Sequence, residues 1–445
     1  MKTVCCHYHP RGCLSRCSCW SAILIILVAL SFIAGCATPA PRLQPSGLNT
    51  VFAAKGVIPF EDYISQTREM MLRARVDIHD GNRELVLHAN LPFERRPDEK
   101  LFPKGKDGKY RRGVLLIHGL SDSPYMLQPL ARHFQSRGFI VRTILLPGHG
   151  TVPGDLLDIR WQEWYHAVQY GIRSMQQEAA ELYLGGFSTG AALSVLSVLR
   201  GEDISGLVLI SPALAVKDRR AALAGVLRGV KDWVGDVRDD ADYAKYETFA
   251  VNAAYQIYLL TAEIDALFAA GKRIGIPVFA VLSAEDVTVD ADRAREVFQH
   301  YAPSEKNVVL VYARDPQKPD GPGSGKIYYE ESYLPERRIL DFSHVALPLP
   351  CDDPHYGLRG GYKSCLHYAA DREKRQVCRN DDTVWQGEIS AANLQSFTMR
   401  RLTCNPKYDG MLKRLDGFLR SVAREKDPGF DALLRPARKQ YTPDR

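Results

Sequence analysis

A chain of 445 residues with 45% hydrophobic and 25% charged content can bury a sizeable core, which excludes a disordered or fibrous protein and fits one large domain with additions. Its formal charge of +6 includes Lys2, Arg11 and Arg16 near the start. Without that segment the charge is about +3, too little to point to nucleic acid as a partner.

Those three cations precede an apolar run from Ala22 to Ile33, shorter than a comfortable membrane span and flanked like a secretory signal peptide. The run ends Ile33-Ala34-Gly35-Cys36, and small residues before a cysteine at that point resemble a bacterial lipobox. The resemblance implies removal of residues 1–35 and a lipid on Cys36, with an uncleaved membrane anchor as the rival reading. Residues 36–60 then read as a tether, extended by Pro39, Pro41 and Pro45. Ala37 is not the aspartate that marks inner-membrane retention in enteric bacteria, so the implied address is the outer membrane, facing the periplasm. Cys5, Cys6, Cys13, Cys17 and Cys19 fall in the segment expected to be lost.

The next chemically informative stretch is Gly113 to Ile117, an apolar strand running into His118-Gly119-Leu120-Ser121-Asp122-Ser123-Pro124 and an amphipathic helix through Arg137. Gly119 lets the backbone approach closely, which makes the N–H of Leu120 a candidate oxyanion donor. His118 reads as a residue that braces the loop. Further on, Glu181 to Gly190 reads Glu-Leu-Tyr-Leu-Gly-Gly-Phe-Ser-Thr-Gly and leads into a helical pattern at Ala191 to Arg200. A sharp strand-to-helix turn leaves room only for hydrogen at Gly186 and Gly190 and lifts the Ser188 hydroxyl clear of the sheet. The N–H of Thr189 at the start of that helix is the second candidate oxyanion donor.

Between Ser211 and Gly275 three helical patterns, Ala221 to Val234, Tyr246 to Leu260 and Glu263 to Ala270, suggest a cap over about residues 213–272. Tyr255, Ile257, Tyr258, Leu259 and Leu260 suit either an acyl pocket or the core of that cap. A buried-strand pattern at Ile276 to Leu282 precedes a loop carrying Glu285, Asp286 and Asp290, of which Asp286 is the preferred acid. Asn307 to Tyr312 reads as the last strand. A Pro- and Gly-rich insertion, Arg314 to Lys326, follows it, with a composition suited to overhanging the site. The histidines after the acid are His300, His344, His355 and His367. His344, in a short apolar stretch that breaks at Pro348, is the preferred base.

Taken in order, Leu116-Ile117-His118-Gly119, Leu146-Pro147-Gly148-His149-Gly150, Gly186-Phe187-Ser188-Thr189-Gly190, Ser283 to Asp286 and Ser343-His344-Val345 resemble the α/β-hydrolases, most of all the small-cap branch of bacterial carboxylesterases and monoacylglycerol lipases. The resemblance implies a mostly parallel central sheet flanked by helices over residues 61–347. It also implies Ser188 as nucleophile, Asp286 as acid, His344 as base, and Leu120 and Thr189 as oxyanion donors. The implied activity is hydrolysis of a carboxylic ester, a small acyl ester or a lipid, through an acyl-enzyme, with no metal or organic cofactor. An acyltransferase or a peptidase using the same residues, or a scaffold lipoprotein on a decayed hydrolase fold, are the other readings.

The family leaves residues 348–445 unexplained, since little more than a final helix is expected after the histidine. Cys351, Cys365, Cys378 and Cys404 in that extension suggest two disulfides in any of three connectivities, with a zinc site as the rival.

Overall fold

The computed structural model of the protein describes residues 40–49, 58–217, 231–234, 241–316 and 326–423. The expected signal peptide and Cys36 lie outside these residues. So do most of the first expected cap helix and much of the Pro- and Gly-rich insertion.

An eight-stranded sheet forms the centre. In chain order its strands are β1 (Glu94–Arg95), β2 (Tyr110–Ile117), β3 (Phe139–Ile144), β4 (Ala179–Phe187), β5 (Gly206–Ile210), β8 (Val278–Ser283), β9 (Val308–Ala313) and β10 (Lys326–Glu331). They lie side by side as β1-β3-β2-β4-β5-β8-β9-β10. All pairings are parallel except that of β1 with β3. The central strands read as continuous apolar runs because both faces are covered. Alternate residues part accordingly: Leu115, Ile117 and Leu184 join one core, Val114, Leu116 and Tyr183 the other.

The first core is covered by the helices Trp161–Gln176, Thr189–Leu199, Val251–Ala269 and Ala291–His300. Over the second lie the helices Gln128–Ser136 and Tyr408–Val422, the latter through Met411, Leu415, Phe418 and Leu419. The Phe418 ring meets that of Phe279 on β8 at 5.8 Å. The covering helix expected just after His344 therefore comes only at residue 408, and residues 348–407 are a segment intercalated before it. That segment holds the parallel pair β11 (Trp385–Gly387) and β12 (Met399–Arg401). Two disulfides, Cys351–Cys404 and the nested Cys365–Cys378, staple it, which selects one of the three connectivities and removes the zinc reading.

Three expectations need correction. The sheet does not end at β9. Lys326 to Glu331 adds β10 in register with Val308 to Ala313, so His344 follows the true last strand closely; the turn-rich composition before β10 disguised it. The helical patterns at 246–260 and 263–270 are one helix, Val251–Ala269. Before it, Trp233–Val234 (β6) is not helical but pairs antiparallel with Phe249–Ala250 (β7). That helix packs on the helices Trp161–Gln176 and Thr189–Leu199 and buries Ile257 and Leu260 in the main core, so these side chains are core rather than acyl pocket.

Of the tether expected over 36–60, the described stretch 40–49 is docked on the protein. Ser46 donates from its N–H (2.5 Å) and its Oγ (2.8 Å) to the buried Asp155 carboxylate. Asn49 Oδ1 accepts from Gly148 N, and Arg42 donates to Thr248 Oγ1. A Cβ at Gly154 would stand 2.2 Å from the Gln44 carbonyl oxygen, so glycine there is what lets the two backbones lie together.

Candidate active site

Strand β4 ends at Phe187 and the next helix starts at Thr189, leaving Ser188 alone in the turn with φ 53° and ψ −112°. This left-handed conformation is strained for a residue with a side chain, and it persists because the surroundings dictate it. A Cβ at Gly186 would lie 2.3 Å from the Gly190 carbonyl carbon, and one at Gly190 would lie 2.0 Å from the Ile117 carbonyl oxygen. Both glycines are therefore obligatory for the turn.

The Ser188 hydroxyl donates to His344 Nε2 at 3.0 Å, and His344 Nδ1 donates to Asp286 Oδ2 at 2.6 Å. All three are buried: Ser188 is 8%, His344 4% and Asp286 1% exposed. Asp286 Oδ1 accepts from the N–H groups of Thr288 (2.7 Å) and Val289 (3.0 Å). Burial alone would raise the Asp286 carboxyl, but the His344 imidazole beside it and these two amides hold it below its usual value. It is thus an anion near neutral pH, aimed at the ring nitrogen opposite the one that faces the Ser188 hydroxyl.

The competing acids have other work. Asp290 caps the helix Ala291–His300, accepting from Arg293 N. The Glu285 carboxylate accepts from Arg314 N, and burial raises it. The competing histidines are placed as follows. His300 closes that same helix and is exposed. His355 Nε2 bonds Asp242 Oδ1 at 2.9 Å, and His367 Nε2 donates to the Met399 carbonyl at 3.0 Å.

The loop after β2 lies against the serine. The position of a Cβ on Gly119 is 3.2 Å from Ser188 Cβ, so the loop that carries Leu120 runs close beside the serine, while Thr189 is the first residue of its helix, where an N–H has no intrahelical acceptor. His118 and His149 brace this loop. His118 Nδ1 donates to the Gly119 carbonyl (2.8 Å) and its Nε2 accepts from Leu146 N (3.0 Å). His149 Nε2 accepts from Ser121 N (3.0 Å). Burial lowers both imidazoles, His149 to about 4, so both stand neutral.

Sequence reasoning missed a second ring of polar residues. Asp122 Oδ2 lies 2.7 Å from the same Gly119 Cβ position, and among the described residues its Oδ1 has no hydrogen-bond partner. Lys245 Nζ stands 3.7 Å away, and burial raises the Asp122 carboxyl. Residues 241–248 form a strap across this edge. Tyr246 N donates to the Ser121 carbonyl, Asp242 accepts from Tyr356 OH (2.6 Å) as well as His355, and Tyr362 OH donates to Glu247 at 2.5 Å. Asp122 in a loop reads like an ordinary turn residue, and nothing in the local pattern pairs it with Lys245, 123 positions later.

Residues 108–243 match the family described as Hydrolase_4, serine aminopeptidase, S33. Over 203 residues the chain is 29% identical to a thermostable monoacylglycerol lipase of Bacillus sp. (strain H-257), a match covering 45% of this chain and 80% of that one. It is also 22% identical over 207 residues to a carboxylesterase of Bacillus subtilis (strain 168), covering 44% and 81%. Among solved structures, a monoacylglycerol lipase of Paleococcus ferrophilus aligns at 18% identity and a TM-score of 0.40, covering 54% of this chain and 88% of its own.

Proposed function

Because the chain is a serine ester hydrolase of the α/β-hydrolase superfamily, we propose that Ser188, His344 and Asp286 are its catalytic triad and that it cleaves carboxylic esters of lipid origin, with monoacylglycerols as the first candidates. The observation that carries this reading is the unbroken chain of hydrogen bonds from the Ser188 hydroxyl through His344 to the Asp286 anion. The lipid class is drawn from the named relatives.

In the reaction the His344 Nε2 takes the Ser188 proton as Oγ attacks the ester carbonyl. Asp286 holds the ring in the tautomer that leaves Nε2 free and stabilises the imidazolium. The carbonyl oxygen becomes an oxyanion against the Leu120 and Thr189 amides, each worth about 3 kcal/mol. Collapse breaks the ester bond; the leaving alkoxide takes the proton from His344 and departs as the alcohol, leaving an acyl-serine. Water, deprotonated by His344, attacks that acyl group and releases the acid with Ser188 restored.

Cys36 is proposed to carry a lipid that holds the enzyme at the envelope membrane, as the Ile33-Ala34-Gly35-Cys36 sequence supports. The test of the activity is turnover of p-nitrophenyl esters of graded chain length and of monoacylglycerols, with Ser188→Ala as control. Loss of at least a thousandfold in kcat in the folded variant is expected. Turnover in Ser188→Ala close to that of the parent protein overturns the assignment.

A further inference from the structure

We infer that Glu388 and Arg401, in the segment intercalated between His344 and the last helix, are positioning residues for the catalytic dyad. The inference rests on Ser188, His344 and Asp286 being the triad.

Asp286 and His344 stand on loops that leave different strands, β8 and β10. The 2.6 Å bond between their side chains requires both loops to be fixed relative to each other, because a misplacement of about 1 Å at a catalytic group can cost about a hundredfold in rate.

Glu388 is fully buried, and its Oε2 accepts from the backbone N–H of His344 at 2.9 Å. Its Oε1 accepts from Ile389 N at 2.8 Å and lies 3.2 Å from Arg401 Nη2. The same Nη2 donates to Thr288 Oγ1 at 3.0 Å, and the N–H of Thr288 is one of the two amides on the Asp286 carboxylate. The contacts close on themselves: Asp286 to the His344 ring, the His344 backbone to Glu388, Glu388 to Arg401, Arg401 to Thr288, and Thr288 back to Asp286.

The pair is itself held. Glu388 N donates to Asp341 Oδ1 at 2.6 Å, and Ser343 Oγ donates to the Leu402 carbonyl at 2.5 Å. Gly387 and Arg401 face each other across β11 and β12, and the disulfide from Cys404 to Cys351 follows three residues later. A buried ion pair is a poor source of net stability, since an apolar pair of similar size does as well or better. What the pair supplies is a fixed register between two catalytic loops.

The experiment uses the full, disulfide-bonded protein with p-nitrophenyl butyrate as substrate, and compares Arg401→Ala and Arg401→Lys with the parent for kcat, KM and thermal unfolding. Arg401 is the residue to change because its side chain is partly exposed, with the thermal unfolding curve reporting how much of the variant is folded, whereas Glu388→Gln serves as a second variant at the buried end. Arg401→Ala is expected to lower kcat by up to roughly 100-fold with KM within about twofold, and Arg401→Lys to recover most of that loss. Unchanged kcat in folded Arg401→Ala overturns the inference. So does a loss that only matches the unfolded fraction, or one that lysine does not lessen. Full activity in Ser188→Ala is a separate result that removes the triad reading beneath it.

Discussion

The imidazoles of His118 and His149 meet edge to face, with ring centroids 4.9 Å apart. Each spends its ring nitrogens on the backbone of the loops after β2 and β3. Two fully buried histidines that must stay neutral make the fold sensitive to acid. In the unfolded chain each binds a proton below about pH 6.5, while in the folded protein His149 does so only near 4 and His118 is likewise well lowered. Between those limits the unfolded state holds more protons, so stability rises with pH and is lost on acidification. We expect the melting temperature to fall as pH drops from about 6.5 toward 4, at up to about 1.4 kcal/mol per unit per group, and His149→Gln to flatten the slope. A stability that is level across this window contradicts the assignment of both as neutral braces.

The acid loop allows a paired comparison. Asp286→Asn is expected to reduce kcat by about 10⁴, since an amide favours the wrong histidine tautomer. Asp290→Asn keeps a good helix cap and is expected to leave kcat unchanged, and Asp290→Ala to cost only about 1 kcal/mol of stability. Kinetics on the three variants, with unfolding curves, decide it; a large loss of kcat at Asp290 alone would exchange their roles.

Reductant should act on the intercalated segment. The Cys351–Cys404 bridge spans 53 residues and Cys365–Cys378 spans 13, separations at which loop closure is worth about 3 to 4 kcal/mol each. Thiol labelling of the unreduced, denatured protein is expected to find none of these four cysteines free. Finding Cys351 or Cys404 labelled in active enzyme would show that the bridge is dispensable.

If Cys36 carries the lipid, Cys36→Ser should leave the membrane fraction and collect as soluble or uncleaved protein, because two acyl chains bind a bilayer far more firmly than a weakly basic surface does. Fractionation followed by mass spectrometry of the N-terminal peptide reads this directly. An unmodified Cys36 in membrane-bound protein sinks the proposal.

Much of the candidate site was legible because its pieces are local. Ser188 needs glycines at two fixed offsets, and Asp286 and His344 each stand just past an apolar run. The apolar runs at 113–117, before Ser188, at 276–282 and at 307–312 are strands of the sheet, while their spatial order was not legible. What escaped the sequence was what distance hides. Strand β10 carries Lys326, Glu330 and Glu331 and follows a turn-rich stretch, so it lacks the apolar run that marked its neighbours. Lys245, Asp122 and Thr288 are charged or polar residues in unremarkable loops and Arg401 ends the short strand β12, and the pairing of Lys245 with Asp122, or of Arg401 with Thr288, exists only after folding. The helix Tyr408–Val422 shows its apolar stripe plainly, but a stripe does not say which sheet it covers.

The docked N-terminal segment has a mechanical outcome. Residue 40 is already fastened beside Thr151 and Thr248 through its neighbours Arg42 and Ser46, and only four peptide units separate it from Cys36. Such a leash reaches at most roughly 14 Å, far less than the width of the protein. An enzyme lipidated there cannot sweep the aqueous space around its anchor. It would graze the bilayer like a limpet, with the loops at the end of β3 always nearest the lipid, and a soluble version cut at residue 50 would strip Asp155 of both its donors along with the leash.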